Sequence, residues 1–162
     1  MNDIVIDTNV LLHTHNKENK YYQSANNTLK LVLRRDLSLC IDDIFNVEEA
    51  KNTSTIGSEY YNKIRTGTFA YAFLIDRLQK GKYIQIIKKN FKQVKLDLNK
   101  MIKKGEIKNH HDIAFVITAY GSQDKLLVSN DYDDFNNENR KYIQKHFQVT
   151  ILDSDEYTTN LI

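Results

Sequence analysis

Residues 4–12 read IVIDTNVLL, an apolar run that leads directly into a polar turn beginning at Asp7. A short apolar run bounded by a turn is typical of a buried strand, and we predict a strand over 3–7 that ends at this acid. A second strand of the same kind, at 125–129, leads to Asp131. In parallel α/β sheets the carboxyl ends of strands converge on a crevice where ligands bind. The two acids are therefore predicted to lie close together.

The spacing of apolar residues and the positions of turn-forming residues predict strands that alternate with helices. The predicted strands cover 3–7, 37–41, 83–87, 125–129 and 147–152. The predicted helices cover 21–35, 58–80, 91–104, 112–120 and 136–146, with one more that begins near Asp42 or Asp43. The segment 83–87 also suits a helix, and 52–58 is predicted to be a loop. This alternation predicts an α/β fold with a central, mostly parallel sheet of about four to five strands flanked by helices.

The composition is that of one globular domain. Of the 162 residues, 41% are hydrophobic and 27% are charged, which are ordinary values for a folded chain. We predict a single domain over 1–162 with a lysine-rich helical segment at about 58–108. No apolar run approaches the roughly 18–20 residues that span a bilayer and no signal-peptide pattern opens the chain, so a cytoplasmic protein without a membrane partner is expected. Cys40 is the only cysteine, which excludes an internal disulfide and a cysteine-rich zinc site.

The net charge of +2 conceals an uneven distribution. Residues 77–108 carry 11 basic and 2 acidic side chains, a charge of +9, whereas residues 109–162 carry 4 basic and 9 acidic ones, a charge of −5. This segregation suits a polyanion bound in one place and a cation in another, and equally a solvated lysine-rich helix face. The candidate contacts for a nucleic acid are Lys88, Lys89, Lys92, Lys95, Lys103 and Lys104.

Four segments, in order along the chain, resemble the PIN domain family of metal-dependent nucleases. They are IVIDTNVLL at 4–12, FNVEEA at 45–50, HDIAFVITA at 111–119 and LLVSNDYDDF at 126–135. The first and the last match closely, and the resemblance covers nearly the whole chain. It implies a PIN-like three-layer fold, and in size the chain is most similar to the small bacterial toxin-type members.

The resemblance places the acids of the family on particular residues of this chain. Asp7, Asp112 and Asp131 match the first, third and fourth acids, and are implied to be catalytic and to bind the metal. Two neighbours, Glu48 and Glu49, match the second acid. Both stay candidates for the catalytic site, with Glu49 slightly favoured because a small apolar residue follows it.

Other polar residues near these acids receive supporting or structural roles. Asn9 and Ser129 are implied to be hydrogen-bonding residues that fix the geometry of the metal-binding carboxylates. Asp133 and Asp134 are predicted to belong to a turn and to the cap of the next helix. The adjacent histidines at 110–111 point apart on a helix and lack a third partner at a recognised spacing, so no zinc site is predicted there.

A cluster of carboxylates has a direct chemical meaning. Carboxylates held close together repel one another unless a hard dication neutralises them. Oxygen ligands without cysteine favour Mg²⁺ or Mn²⁺ over zinc. The resemblance implies that such a metal promotes attack of water on a phosphodiester, while the glutamate orients that water or accepts its proton.

The sequence is therefore predicted to encode a Mg²⁺- or Mn²⁺-dependent endoribonuclease. One form that the resemblance implies is the toxin of a toxin–antitoxin pair, with single-stranded RNA as substrate, an antitoxin protein as partner and a homodimer as assembly. Two alternatives stay open. One is a PIN nuclease of RNA processing or decay without an antitoxin, and the other is a catalytically inactive PIN-fold module that binds RNA or protein.

Overall fold

A five-stranded, all-parallel sheet forms the centre of the computed structural model, which describes residues 1–87 and 91–160. Its strands are β1 Asp3–Ile6, β2 Ser38–Asp42, β3 Tyr83–Ile86, β4 Leu126–Val128 and β5 Thr150–Leu152. They lie in the order β3-β2-β1-β4-β5. Eight α-helices within the described ranges flank this sheet. The predicted α/β class is confirmed, and the architecture is consistent with a three-layer PIN-like fold.

Four of the helices match the segments predicted at 21–35, 91–104, 112–120 and 136–146, whereas the helices at 8–13 and 154–160 were not predicted. The helices are α1 Thr8–His13, α2 Tyr22–Arg34, α3 Thr55–Lys63, α4 Phe69–Gln79, α5 Lys92–Lys103, α6 His110–Gly121, α7 Asn137–Phe147 and α8 Ser154–Asn160. The single helix predicted at 58–80 is wrong. The chain forms two helices there, because Gly67 adopts a φ of 81° and Thr68 Oγ1 caps α4 by accepting from Tyr71 N–H at 3.2 Å. None of the described helices is long and apolar enough to cross a membrane.

The strand order reverses between β1 and β4. Strands β2 and β3 lie on one side of β1, and strands β4 and β5 lie on the other side. Ile6 pairs with Val128, and the N–H group of Asp7 donates to the Val128 carbonyl at 2.9 Å. The residues that follow β1 and β4 therefore emerge side by side. This is the topological switch point of a parallel sheet, the place where ligands bind.

The carboxyl end of β1 lies in the most buried part of the molecule. Ile4, Val5 and Ile6 are fully buried, as expected for a parallel strand covered by helices on both faces. Helix α6 packs against β1, β2 and β4. From α3, the Tyr60 hydroxyl donates to the Ile6 carbonyl at 2.5 Å. The core thus holds α3 and α6 next to the end of β1.

The segment after β2 differs from the prediction. The helix expected to begin near Asp42 or Asp43 is wrong, because the chain forms a loop followed by a 3₁₀ turn at Glu49–Lys51. The buried carboxylate of Asp42 does cap a helix, but that helix is α3. It accepts hydrogen bonds from Ser54 Oγ at 2.5 Å and from the first two N–H groups of α3 at 2.9 Å. The end of β2 therefore fixes where α3 begins.

Replacement of Asp42 by alanine should destabilise the fold, because three donors at the start of α3 lose their acceptor. The expected loss in the free energy of unfolding is about 2–4 kcal/mol. Urea unfolding followed by circular dichroism measures it. Glu18→Ala, at an exposed position, is the control and should change stability by less than about 0.5 kcal/mol. An Asp42→Ala variant as stable as the wild type would contradict the capping role.

Candidate metal centre

Asp7 follows β1 directly and caps α1. It lies at the switch point between the carboxyl ends of β1 and β4, which we call the crevice. Its side chain is almost fully buried. Oδ1 accepts a hydrogen bond from the backbone N–H of Asn9 at 3.3 Å. Oδ2 accepts from Asn9 Nδ2 at 2.7 Å and from Ser129 Oγ at 2.6 Å. The structure therefore brings both predicted supporting residues, Asn9 and Ser129, into contact with this carboxylate.

The loop after β4 folds around Ser129 and Asp131. While Ser129 Oγ donates to Asp7, it accepts from the N–H group of Asp131 at 3.1 Å. Asp131 Oδ1 in turn accepts from the N–H group of Asp134 at 3.1 Å. Hydrogen bonds that an aspartate side chain accepts from the backbone a few residues later define a tight turn. The turn brings Asp131 and Asp134 together at the crevice.

Three carboxylates form the centre of the candidate site. One oxygen from each of Asp112, Asp131 and Asp134 lies within 4.8 Å of the others. Asp112, in the first turn of α6, is 5% exposed, and its Oδ2 is buried without a hydrogen-bond partner. Asp134 accepts from the N–H groups of Lys108 at 2.7 Å and Asn109 at 3.0 Å. Asp134 therefore anchors the loop before α6 and is also a member of the cluster, beyond its predicted turn role.

Glu59 on α3 is a further buried carboxylate at the crevice, and the sequence did not reveal it. Its Oε2 accepts from Thr8 Oγ1 at 2.8 Å. Its Oε1 lies 3.1 Å from Lys63 Nζ and 3.0 Å from His111 Nδ1. The charge of Glu59 also contributes to raising the pKa of Asp7. This acid is thus fixed on the α3 side of the site.

The structure leaves both predicted candidates for the second acid at the surface. The Glu48 side chain is 62% exposed and pairs with Lys51 Nζ at 2.7 Å. Glu49 is exposed in the 3₁₀ turn. Among the described residues, neither Glu48 nor Glu49 forms a hydrogen bond or an ion pair with Asp7. Because the helix after β2 begins later than predicted, the acid that reaches the crevice from this part of the chain is Glu59.

Burial and mutual repulsion disfavour the ionised form of these acids. Burial raises the pKa of Asp7 to about 6, although the hydrogen bonds from Ser129 Oγ and the Asn9 N–H group act in the opposite direction. Burial also raises the pKa of Asp112 to about 9, and neighbouring carboxylates that include Asp134 add to the shift. A bound dication reverses this balance, because it favours the charged carboxylates.

The donor set fits a hard divalent cation. All its members are carboxylates, the ligands that Mg²⁺ and Mn²⁺ prefer. The buried Oδ2 of Asp112, which has no hydrogen-bond partner, is a free ligand atom. Asp7 lies beside the three-acid cluster and is electrostatically coupled to Asp112. Fold and site together define an α/β domain with a carboxylate cluster at its switch point that could bind a metal ion.

Neither models of known protein families nor curated protein sequences give a match to this chain.

Four of the six predicted nucleic-acid contacts lie on or directly after α5. Lys92, Lys95 and Lys103 are exposed on that helix, and Lys104 follows its last turn. Lys88 and Lys89 lie outside the described residues. The four described lysines form a basic surface, whereas the acids converge on the crevice.

The metal-free protein should lose stability as the pH rises. The pKa of Asp7 is about 6 and that of Asp112 about 9, both above the ordinary value of 3.8, so the folded state binds more protons than the unfolded state between these values. Stability that is fully present below 3.8 is then lost, first through pH 6 and further towards pH 9. Because one pKa unit corresponds to about 1.4 kcal/mol, the loss should be large enough to measure. Thermal unfolding in EDTA measures this.

Two asparagine variants identify the source of that pH dependence. Asp112→Asn removes the group with the higher pKa and should flatten the decline above pH 6. Asp133→Asn, whose side chain is 87% exposed in the same region, should leave the decline unchanged. Saturating Mg²⁺ should abolish the decline in the wild type, because the metal competes with protons. Stability in EDTA that does not vary with pH would contradict the electrostatic account.

Proposed function

We propose that this protein is a Mg²⁺- or Mn²⁺-dependent endoribonuclease of the PIN type, which hydrolyses phosphodiester bonds of RNA. The observation that carries the proposal is the carboxylate cluster at the switch point, in which Asp112 and Asp134 are buried and Asp112 Oδ2 has no hydrogen-bond partner. Buried acids that raise one another's pKa cost stability, and such costs concentrate at functional sites. The three-layer α/β architecture and the order of the three motifs that carry Asp7, Asp112 and Asp131 support the PIN assignment.

The cation would be held by Asp112, Asp131 and Asp134, with Asp7 beside them. A bound Mg²⁺ or Mn²⁺ supplies Lewis-acid stabilisation of the phosphoryl oxygens and makes water more acidic. Asp7 is kept in one orientation by Ser129 Oγ, which also holds the backbone of Asp131. The relative positions of these carboxylates are therefore fixed before substrate binds, as efficient catalysis requires.

Glu59 takes the role that the resemblance gives to the second acid. Thr8 Oγ1 holds one of its oxygens, and Lys63 and His111 hold the other. These contacts fix the buried Glu59 carboxylate close enough to Asp7 for its charge to raise the pKa of Asp7. We assign to Glu59 the orientation of the attacking water and the acceptance of its proton.

The toxin-type role is the narrower form of the proposal. Such a protein would cleave single-stranded RNA, be neutralised by an antitoxin protein and form a homodimer. The single hydrophobic core of the described residues supports a small one-domain nuclease of this kind. An antitoxin gene next to this one would separate the toxin from a nuclease of RNA processing or decay. Mg²⁺ binding that is lost in Asp7→Asn would separate both from an inactive binding module.

Asp7→Asn and Asp112→Asn should each abolish metal-dependent cleavage of single-stranded RNA. Residues that only orient metal ligands typically contribute 10–100-fold, so loss of Asp112, a member of the cluster, or of Asp7 beside it should exceed about 100-fold. The assay follows cleavage of an end-labelled RNA with Mg²⁺ or Mn²⁺, and thermal unfolding verifies the fold. Asp133→Asn is the matched control and should retain full activity. Undiminished cleavage by either the Asp7→Asn or the Asp112→Asn variant would refute the proposed function.

Glu59→Gln should lower kcat in the same assay by about 100-fold, the usual scale for a general base. Glutamine preserves the volume and can still accept from Thr8, so the fold should be retained. Glu48→Gln and Glu49→Gln should cleave like the wild type, since both side chains are exposed. An inactive Glu48→Gln or Glu49→Gln variant together with an active Glu59→Gln variant would show that the second acid has been misassigned.

A further inference from the structure

Two adjoining cavities, of about 320 and 550 Å³, lie between helices α5 and α6. Lys95 and His110 line both, so the cavities form one continuous depression, which we call the α5–α6 groove. Apolar residues of α6, Ile113 and Ile117, form part of its wall. The basic side chains that line it are Lys92, Lys95, Lys100, Lys103 and His110.

The positive charge of the groove is largely uncompensated. Lys100 pairs with Asp97, its neighbour on α5, at 2.8 Å. Lys92, Lys95 and Lys103 make no ion pair with any residue in the described ranges, although other lysines of the chain are paired. Cations that line a concave surface without counter-charges repel one another, and a bound polyanion relieves that repulsion. The groove is therefore suited to a ligand with several regularly spaced negative charges.

The groove adjoins the first turn of α6, the same turn that carries Asp112 of the acid cluster. Successive helix residues point about 100° apart, so His110, His111 and Asp112 face three different neighbours. His110 lines the groove. His111 Nδ1 lies 3.0 Å from Glu59 Oε1 on α3. Asp112 belongs to the carboxylate cluster. A ligand bound against His110 would therefore lie within one helical turn of Asp112.

We propose that the α5–α6 groove binds the sugar–phosphate backbone of a single-stranded RNA on one side of the bond to be cleaved. This inference rests on the proposed function and specifies how its substrate lies. No tyrosine, phenylalanine or tryptophan of the described residues lines either cavity, so the groove contacts phosphates rather than stacked bases. It therefore contributes affinity that does not depend on base identity.

Salt-dependent RNA binding tests the groove. Fluorescence anisotropy of a labelled 12-nucleotide RNA is measured in EDTA with Asp112→Asn as the background, so that no cleavage occurs. Each phosphate contact to a single strand contributes about 0.7 to the slope of log K against log salt. Lys92→Gln/Lys95→Gln added to this background should reduce the slope by about 1.4 and weaken binding at low salt by at least about 10-fold. Glutamine suits helix interiors, so α5 should persist.

Lys141→Gln/Lys145→Gln on α7 is the matched control. These two lysines are also exposed, lie on one helix and line another surface depression. The control should leave slope and affinity unchanged. An equal loss for both pairs, or no loss for the groove pair, would overturn the inference. Binding of a polyglutamate probe as tight as that of RNA would overturn the assignment to nucleic acid in favour of an acidic protein.

The outcome for the groove is separable from the outcome for the proposed function. If the wild type cleaves RNA and the groove pair changes neither slope nor affinity, the groove inference fails while the nuclease stands. If the wild type cleaves no RNA and the groove pair still loses binding, the nuclease fails and the groove remains a nucleic-acid site.

Discussion

The hydrogen bond from Ser129 Oγ to Asp7 Oδ2, 2.6 Å long, joins the ends of β1 and β4. The rest of the site depends on it, because it spans the switch point where the two halves of the sheet diverge. The same hydroxyl accepts from the N–H of Asp131. One small side chain thereby sets the separation of two carboxylates that come from opposite ends of the chain.

The buried acids of the crevice lower the stability of the metal-free fold, which indicates that they are kept for function. Buried carboxylates without cationic partners lose hydration and repel one another. In this crevice the pKa values of Asp7 and Asp112 are accordingly raised. The surrounding scaffold tolerates this cost because β1 and β4 are fully enclosed in apolar packing. A bound dication attracts the carboxylates that otherwise repel one another. Metal binding should therefore stabilise the close arrangement of these acids.

Features encoded locally could be predicted from the sequence. The apolar run before Asp7 and the broad apolar stripe after Asp112 define β1 and α6, and the acids lie directly at the ends of these elements. The parallel sheet followed from the alternation of strands and helices. Asp7, Asp112 and Asp131 were therefore all named as site candidates, and the structure brings them together at one crevice.

Features that depend on tertiary contacts were missed. The start of α3 is set by Asp42, which caps it from the far side of a long loop. Ser54, which accepts from Gly57 N–H at 2.7 Å, was the local N-cap signal that could have placed α3 earlier. Glu59 would then have fallen in the middle of a short helix that begins directly after the end of β2 and its loop, rather than at the start of a long one. Asp134 joined the cluster through a turn whose geometry the spacing of acids alone does not define.

The central claim, that these acids hold a divalent cation, is tested most directly by anomalous diffraction from crystals grown with Mn²⁺. The account predicts an anomalous peak within coordination distance of Asp112, Asp131 and Asp134, at about 2.0–2.6 Å from their oxygens. The absence of a peak there at saturating Mn²⁺, or a peak only at surface carboxylates such as Glu48 or Asp133, would contradict it.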